Sequence, residues 1–427
     1  MKICMISSVF PPYSFGGVET HIKKISEYLE KDGNEVVIIT LKPYTSIEDL
    51  KPSIEIRDKI KIYRFYPLNI YSRYSILKKP SIIIGLWFML DFWNIHSYFV
   101  LKDILKKENP DIVHTHHLIG ISPSAVFNVV KNLNLPLVHT LHGYSLLCPN
   151  AYLYCGSGGC ACPNTFIFRN SEGVCKKPNI ICKMYQSLSR YFNRSKPDFV
   201  ISPSKFVLDI HLKNDFFKTS KKKVLCHGIE LYNNLNNLKF NDFNKKTIIN
   251  DNLNVLFVGR LEKSKGVSTL IEAFKELSMS NIKLHVVGDG TYKSVLENLS
   301  KNDERIIFYG KIPTEELQKF YRSCDVVVVP SLWHETLGIV IQESFRAGTP
   351  VIGSMMGGIP DLIEDGYNGF LFEAGDVNKL KYILEYLINN RPILKKLGEN
   401  AIKSIKKHEM SCYIKNLERI YEEVVRQ

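Results

Sequence analysis

The stretch Val326–Glu343, VVVVPSLWHETLGIVIQE, joins four consecutive valines to a helical pattern through a short polar turn. A run of β-branched apolar residues is typical of a strand that is buried on both faces, as in a parallel sheet. The strand ends at Pro330, and the pattern predicts a helix that begins near Thr336. A strand that leads through a loop into a helix is one unit of a doubly wound α/β sheet.

The same unit recurs along the whole chain. In the C-terminal half the apolar runs of strand length are Val255–Gly259, Leu284–Gly288, Ile306–Phe308, Val326–Pro330 and Val351–Ser354. In the N-terminal half they are Ile3–Ser8, Glu35–Thr40, Asp111–Thr115, Leu137–Leu141 and Phe199–Ser202. Because helical segments separate them, we expect two parallel sheets, each with helices on both faces.

The length of 427 residues favours two domains, since it exceeds what one ordinary core holds. An Asn-rich stretch without a steady period, residues 231–253, is typical of a linker. We therefore predict a first domain over residues 1–230 and a second over residues 254–410. Residues 411–427 form a predicted C-terminal helix that can pack back on the first domain.

The formal charge is +13, from 56 Lys and Arg against 43 Asp and Glu. Such an excess favours an anionic partner. The basic residues are scattered, so a membrane surface is favoured over nucleic acid, for which no binding is expected.

The apolar run Ile3–Phe10 ends in Pro11-Pro12, which is typical of a buried first strand and not of a signal peptide. We expect a cytoplasmic protein, with an oligomeric state that the sequence does not indicate.

The segment Ser81–Leu101 is the longest apolar stretch. Asp91, Asn94 and His96 lie near its middle, which argues against a helix that spans a membrane. A mostly buried helix of the first domain is the favoured interpretation. A helix that lies in the interface of a membrane is the alternative.

The loops that follow the strands hold the candidate chemistry, because ligands of open α/β sheets bind at the carboxyl ends of the strands. After one strand come Gly259 and Arg260, with Lys265 five residues on, and two cations there can clamp a diphosphate. Glu335 and Glu343 are spaced so that both carboxylates can lie towards one side. The amides of Leu337 and Gly338, at the predicted start of the helix, are candidate anion donors. Gly288, at the end of a further apolar run of strand length, is a candidate for the same binding site.

The pair Glu335 and Glu343 resembles the E-x7-E signature of the retaining glycosyltransferases of family 4, which have the GT-B fold. Further segments resemble that family in the same order along the chain. They are Gly16-Gly17-Val18-Glu19, Pro110–His116, Leu141-His142-Gly143, Ser202–Phe206, Val287–Gly290, Gly348–Ile352 and Gly357–Pro360. The resemblance implies two Rossmann-like domains that face each other across a cleft, with the nucleotide sugar bound by the second.

The resemblance also implies roles for single residues. Arg260 and Lys265 would neutralise the departing diphosphate, helped by the Leu337 and Gly338 amides. Glu335 would face the transferred sugar and Glu343 the ribose. Gly259 and Gly288 would line the nucleotide, and Gly16 and Gly17 would reach the phosphates. His142 would lie near the sugar and the incoming hydroxyl.

No Asp-x-Asp occurs in the chain, so a carboxylate pair for a divalent cation is missing, and catalysis without a cofactor is expected. The donor expected from the resemblance is a UDP- or GDP-linked hexose, and the acceptor is a glycan or a lipid-linked molecule. Two segments depart from the family pattern, His227-Gly228-Ile229-Glu230 and Asp361, and both weaken any inference about the donor.

Six of the ten cysteines lie in residues 148–182, which we interpret as an insertion in the first domain. A structural zinc ion, disulfides and free thiols are the three alternatives, and Cys-Ala-Cys is not the usual C-x2-C spacing of a zinc site. The candidate ligands are Cys148, Cys155, Cys160, Cys162, Cys175 and Cys182.

Three other functions remain at this point. A GT-B enzyme can epimerise a nucleotide sugar instead of transferring it. A basic protein with a cysteine knuckle could bind nucleic acid, although no interleaved aromatic and basic module supports this. A catalytically silent scaffold is disfavoured because Glu335, Glu343, Arg260 and Lys265 are all present.

Overall fold

The computed structural model describes residues 1–13, 17–71, 81–147, 180–193, 196–231 and 252–426, without the side chains of residues 81–85 and 180–186. The chain divides into two compact units. One comprises residues 1–227 and 413–427, and the other comprises residues 228–412. The last helix, Met410–Val425, therefore has most of its residues in the first unit.

The first unit is built on an eight-stranded sheet with the order β3-β4-β2-β1-β5-β6-β7-β8. All neighbours are parallel except the edge strand β3, which pairs antiparallel with β4. Strands β1, β2, β5, β6 and β7 have almost fully buried residues, as helices cover both faces of a parallel sheet. The strands are β1 Lys2–Ile6, β2 Glu35–Leu41, β3 Ser53–Arg57, β4 Ile60–Phe65, β5 Ile112–Thr115, β6 Leu137–Thr140, β7 Phe199–Ser202 and β8 Lys221–Val224.

The second unit is built on a six-stranded, fully parallel sheet with the order β11-β10-β9-β12-β13-β14. Its core consists of aliphatic and aromatic side chains from the strands and from the helices that cover them. The strands are β9 Leu253–Val258, β10 Ile282–Val287, β11 Ile306–Gly310, β12 Val326–Val329, β13 Val351–Ser354 and β14 Gly369–Phe372. The predicted α/β fold class, with two parallel sheets, is confirmed.

Helices follow most strands, as the alternation of patterns predicts. In the first unit they are α1 Val18–Lys31, α2 Ser81–Phe92, α3 Ile95–Glu108, α4 Pro123–Asn132, α5 Ile180–Asn193 and α6 Lys205–Lys213. Further along the chain they are α7 Val267–Lys275, α8 Lys293–Leu299, α9 Thr314–Ser323, α10 Ile339–Arg346, α11 Val377–Asn389, α12 Pro392–Lys406 and α13 Met410–Val425.

The expectation of one mostly buried helix over residues 81–101 is wrong. The segment forms two helices, because Asn94 interrupts α2 and caps α3, with its side chain accepting a hydrogen bond from the Ser97 amide at 2.8 Å. Three of the described side chains of α2, Leu86, Met89 and Leu90, are exposed. In the described part of the chain, no helix combines the length and the apolar character that a membrane span requires.

Candidate active site

The loops after β9 and β10 lie side by side in the second unit. The Gly259 amide donates to the Val287 carbonyl at 3.0 Å, and the Leu261 amide donates to the Asp289 carbonyl at 2.9 Å. These backbone bonds place the loop that holds Arg260 next to Gly288, at the carboxyl edge of the sheet. The Arg260 guanidinium is about half exposed, at 48 %, and its Nη1 lies 2.7 Å from Glu262 Oε1.

Lys265 ends a short 3-10 turn, Lys263–Lys265, that packs against the loop after β12. The Leu332 amide donates to the Ser264 carbonyl at 2.8 Å. The next residue, Gly266, has a φ of +67°, and a Cβ there would lie 1.9 Å from the Pro330 carbonyl oxygen. Only glycine allows this close approach, which brings Lys265 to the loop that holds Glu335.

Glu335 is buried and accepts three hydrogen bonds on the same oxygen, Oε1. The donors are Lys265 Nζ at 2.7 Å, Ser331 Oγ at 2.7 Å and Trp333 Nε1 at 2.8 Å. Within the described residues, no donor to its second oxygen, Oε2, is present. Burial raises the pKa of Glu335, but the charge of Lys265 and these hydrogen bonds outweigh burial and lower it. The carboxylate is therefore ionised, and its Oε2 is available to accept a hydrogen bond.

The ammonium of Lys265 has a second contact besides Glu335. It lies 4.9 Å from the centroid of the Trp333 ring, a distance at which the ring face attracts a cation. An ammonium has three N–H donors, and the bond to Glu335 uses one of them. Trp333 thus contacts both members of the ion pair.

The backbone of Glu335 is fixed by the glycine pair that follows β13. The Gly358 amide donates to the Glu335 carbonyl at 2.7 Å, and Gly357 forms a β-bridge with Glu335. Gly357 has a φ of +63°, and a Cβ there would lie 2.2 Å from the Glu335 carbonyl oxygen. The sequence segments after β9, β12 and β13 therefore meet at one residue, Glu335, the first through its carboxylate and the last through its backbone.

The helix after Glu335 begins later than the sequence predicts. Helix α10 starts at Ile339, because Gly338 has a φ of +95° and caps the helix instead of belonging to it. The expectation that Leu337 and Gly338 supply the first amides of this helix is wrong; those amides are of Ile339 and Val340. Leu337 is buried just before the cap.

Glu343 lies on α10 and is held from the neighbouring helix α9. The hydroxyl of Tyr321 donates to Glu343 Oε2 at 2.8 Å, and Tyr321 is fully buried. Sequence reasoning missed Tyr321, since no local pattern marks it. It also missed Ser331 and Trp333, although both lie in the stretch that decides the fold and carry donors next to Glu335.

In the first unit, His142 follows β6 and hydrogen-bonds to a second histidine, His116. Its Nε2 lies 3.0 Å from His116 Nδ1, and its buried Nδ1 has no hydrogen-bond partner among the residues that the structure describes. Burial, followed by the neighbours His227 and His116, holds the pKa of His142 well below 6.5. The ring is therefore neutral at physiological pH and its protonation state is coupled to that of His116.

Two groups of predicted residues are only partly described. Gly17 precedes α1, and its carbonyl accepts a hydrogen bond from the His21 amide at 3.1 Å, whereas Gly16 lies outside the described residues. The cysteine cluster also lies outside them, apart from the backbone of Cys182 in α5. The described part of the chain contains no group of three or more His, Cys, Asp or Glu side chains placed to hold a metal ion. The candidate ligands left outside are Cys148, Cys155, Cys160, Cys162 and Cys175.

Comparisons with known proteins find two family models, several relatives and several solved structures that resemble the chain. Residues 15–232 match the model of Glycosyltransferase Family 4, and residues 239–404 match that of Glycosyl transferases group 1. An uncharacterized glycosyltransferase of Methanocaldococcus jannaschii is 28% identical over 437 residues, 99% of each chain. The alpha-monoglucosyldiacylglycerol synthase of Streptococcus pneumoniae is 25% identical over 433 residues, 97% of this chain and 86% of that protein. The solved structure of Anabaena HepE in complex with UDP has a TM-score of 0.68 at 16% identity, over 99% of this chain and 100% of that one.

Proposed function

Since the chain belongs to glycosyltransferase family 4, we propose that it transfers a hexose from a UDP- or GDP-sugar to a glycan or a lipid-linked acceptor. Members of the family are retaining glycosyltransferases that use nucleotide-sugar donors, and the chain has their GT-B fold. The arrangement around Glu335 is the observation that carries the proposal.

Glu335 is suited to hold a sugar because one of its oxygens accepts three hydrogen bonds, whereas the other has no donor among the described residues. Oε1 is bound by Lys265, Ser331 and Trp333, which fix the plane of the carboxylate. In our proposal Oε2 accepts a hydrogen bond from a hydroxyl of the transferred hexose. Glu343, held by Tyr321, binds the ribose of the nucleotide in the same way.

The reaction itself needs stabilisation of negative charge. As the bond between the anomeric carbon and the phosphate oxygen breaks, charge develops on the departing diphosphate. Lys265, which keeps two N–H donors beyond its bond to Glu335, and Arg260 would offset this charge. The amides of Ile339 and Val340 at the start of α10, together with the backbone of Gly259 and Gly288, would assist them.

The new bond forms on the face that the phosphate leaves, and the acceptor hydroxyl gives its proton to the departing phosphate oxygen. This sequence retains the anomeric configuration and needs no enzymic nucleophile. His142, a neutral imidazole, would contact the sugar and the incoming hydroxyl. Gly16 and Gly17 would bring backbone donors to the phosphates.

The acceptor and the place of action are part of the same proposal. A relative that aligns with nearly the whole chain is named as an alpha-monoglucosyldiacylglycerol synthase, and this supports the lipid-linked alternative for the acceptor. In our proposal the chain acts in the cytoplasm at an anionic membrane surface, and the charge of +13 together with this relative supports the membrane surface.

The substitution Glu335→Ala tests the role of the carboxylate. We expect transfer to be lost while the nucleoside diphosphate still binds, as measured by product formation and by calorimetry. Glu304→Ala, which removes an exposed carboxylate of the same unit, is the control. Unchanged turnover in Glu335→Ala would remove this residue from the mechanism.

The donor can be identified by thermal shift, because a ligand that binds the folded state raises its melting temperature. We expect a UDP- or GDP-sugar to raise it and an ADP-sugar to have no effect. Mass analysis of the product then separates transfer from epimerisation. A free epimerised nucleotide sugar with no glycosylated product would contradict the proposal.

A further inference from the structure

Three of the described apolar side chains of helix α2, and Trp93 just after it, face solvent. Leu86, Met89, Leu90 and Trp93 recur at intervals of three and four residues, the spacing of one helix face, and all four are exposed. The buried side holds Trp87 and also Asp91, whose Oδ2 accepts a hydrogen bond from the Gly120 amide at 2.9 Å. Because a polar anchor fixes the rotation of the helix, the exposed apolar side is a built feature of the fold.

The exposed side chains continue from α2 onto the neighbouring helices α3 and α5. Ile95 and Phe99 of α3 are exposed by 64% and 56%, and Tyr191 of α5 by 76%. The rings of Trp93 and Phe192 stack with centroids 5.9 Å apart, which joins α5 to the end of α2. We call this surface the apolar face. Its exposed members are Leu86, Met89, Leu90, Trp93, Ile95, Phe99, Leu188 and Tyr191.

Positive charge borders the apolar face. On α3 the side that carries Ile95 and Phe99 continues with Lys102 and Lys106, at the same helical spacing. Arg190 lies beside Tyr191 on α5. Of the two acidic residues of α3, Asp103 is exposed, whereas Glu108 is buried and ion-paired with Lys2 and Lys61. The border is thus net positive, in keeping with the charge of the whole chain.

We propose that the apolar face docks on the surface of an anionic lipid bilayer. Exposed patches of this kind mark interaction sites. Aliphatic side chains enter the boundary between head groups and acyl chains, Trp and Tyr favour that boundary, and Lys and Arg pair with anionic head groups. A second copy of the chain fits less well, because a two-fold contact through the same face would set the positive borders of the two copies together.

The inference rests on the proposed function in one respect, since docking would bring the first unit to a lipid-linked acceptor. Its physical basis is nevertheless independent of the second unit, where the proposed donor site lies. Vesicle binding and nucleotide binding can therefore fail separately.

The test is cosedimentation of the full chain with vesicles of phosphatidylcholine, with and without phosphatidylglycerol. We expect binding to the anionic vesicles, weakened about tenfold or more in the double variant Met89→Glu/Leu90→Glu, because burial of apolar side chains and attraction to anionic lipid are both lost. The control Ile54→Glu/Ile56→Glu changes two exposed apolar residues of the edge strand β3 and should bind like the parent. Circular dichroism and the thermal shift with nucleotide verify that both variants fold.

Three results would overturn the proposal. The parent chain could fail to bind anionic vesicles, or Met89→Glu/Leu90→Glu could bind them as well as the parent. A concentration-dependent dimer that this variant disrupts, seen by sedimentation without lipid, would instead assign the apolar face to a contact between copies. If no nucleotide sugar binds while vesicle binding follows the expected pattern, the proposed function fails and the docking surface stands.

Discussion

The Nδ1 of His116 and the Nε2 of His142 lie 3.0 Å apart, so the two imidazoles share one hydrogen bond. Burial and neighbouring histidines hold the pKa of both rings well below 6.5, and both are neutral at physiological pH. One ring must donate and the other accept, so the tautomer of His116 decides that of His142. Whether His142 presents a donor or an acceptor at Nδ1 therefore depends on its neighbour.

The first prediction concerns this pair. His116→Ala should lower kcat/KM about tenfold, because His142 loses the hydrogen bond that orients it. The buried Nε2 of His142 is then left without this partner. His116→Gln, whose amide can donate to His142 Nε2, should recover part of the loss. Steady-state kinetics with a fixed donor measure both, and thermal unfolding separates a loss of activity from a loss of fold. Equal kcat/KM in His116→Ala and the parent would contradict the coupling.

The second prediction concerns Trp333. Trp333→Phe keeps an aromatic ring under Lys265 but removes the N–H donor to Glu335 Oε1. A hydrogen bond to a charged group contributes about 1.5–3 kcal/mol, so we expect kcat to fall at least about tenfold. Affinity for the free nucleoside diphosphate should change little, because Glu335 is proposed to face the sugar. Tyr382→Phe, on the exposed part of α11, is the control. Weaker diphosphate binding with unchanged kcat in Trp333→Phe would show that Trp333 acts on diphosphate binding and not through Glu335.

The third prediction concerns Tyr321 and Glu343. Tyr321→Phe should weaken nucleotide binding about tenfold, because Glu343 loses the donor that positions it. The substitution keeps the buried ring, so the core should stay packed. Calorimetric titration with the nucleoside diphosphate gives the affinity. The decisive control compares a nucleotide with and without the ribose hydroxyls, since the variant should discriminate between them less than the parent does.

The fourth prediction compares two glycines with similar backbone angles. Gly357 and Gly366 have φ values of +63° and +73°, but a Cβ at Gly357 would lie 2.2 Å from the Glu335 carbonyl oxygen, and a Cβ at Gly366 would meet nothing within 4 Å. Gly366→Ala should cost about 1–2 kcal/mol of backbone strain. Gly357→Ala should cost more and abolish transfer, because the backbone of Glu335 must shift. Chemical denaturation and activity measure the difference. Two equal losses would show that the contact with Glu335 is unimportant.

Much of the fold was predictable because buried parallel strands leave a strong pattern. The valine run that became β12 and the apolar run that became β9 are almost uninterrupted, since both faces of each strand are covered. The loops after these strands hold Lys265 and Glu335. The rule that ligands bind at the carboxyl ends of the strands therefore identified both as candidate site residues. The structure places these two in an ion pair.

What the sequence did not predict depends on contacts between distant parts of the chain. Tyr321 reaches Glu343 across two helices, and nothing within its own helix distinguishes it from a core tyrosine. The start of α10 was misplaced because Gly338 has a positive φ, which the helical pattern does not reveal. The break at Asn94 was missed because an asparagine can be either a helix residue or a cap, and the bond to Ser97 decides.

The last prediction is a loss of stability in mild acid. Four buried histidines of the first unit have a pKa that burial lowers to about 3 or about 4, whereas an exposed histidine titrates near 6.5. Below pH 6.5 the unfolded chain therefore binds more protons than the folded one, and the free energy of unfolding falls as the pH falls towards 4. The four are His114, His139, His211 and His227.

Each such histidine should cost about 1.4 kcal/mol per pH unit in this window, so the melting temperature should be nearly constant from pH 8 to 7 and fall steeply from pH 6.5 to 5. His139→Phe is the matched variant. Its ring can take the place of the imidazole between Phe127 and Phe217, and Thr115, which also donates to the Val138 carbonyl, keeps a partner. The slope for this variant should be smaller by about one proton. If the parent and His139→Phe lose stability in parallel, His139 is not a source of the acid sensitivity.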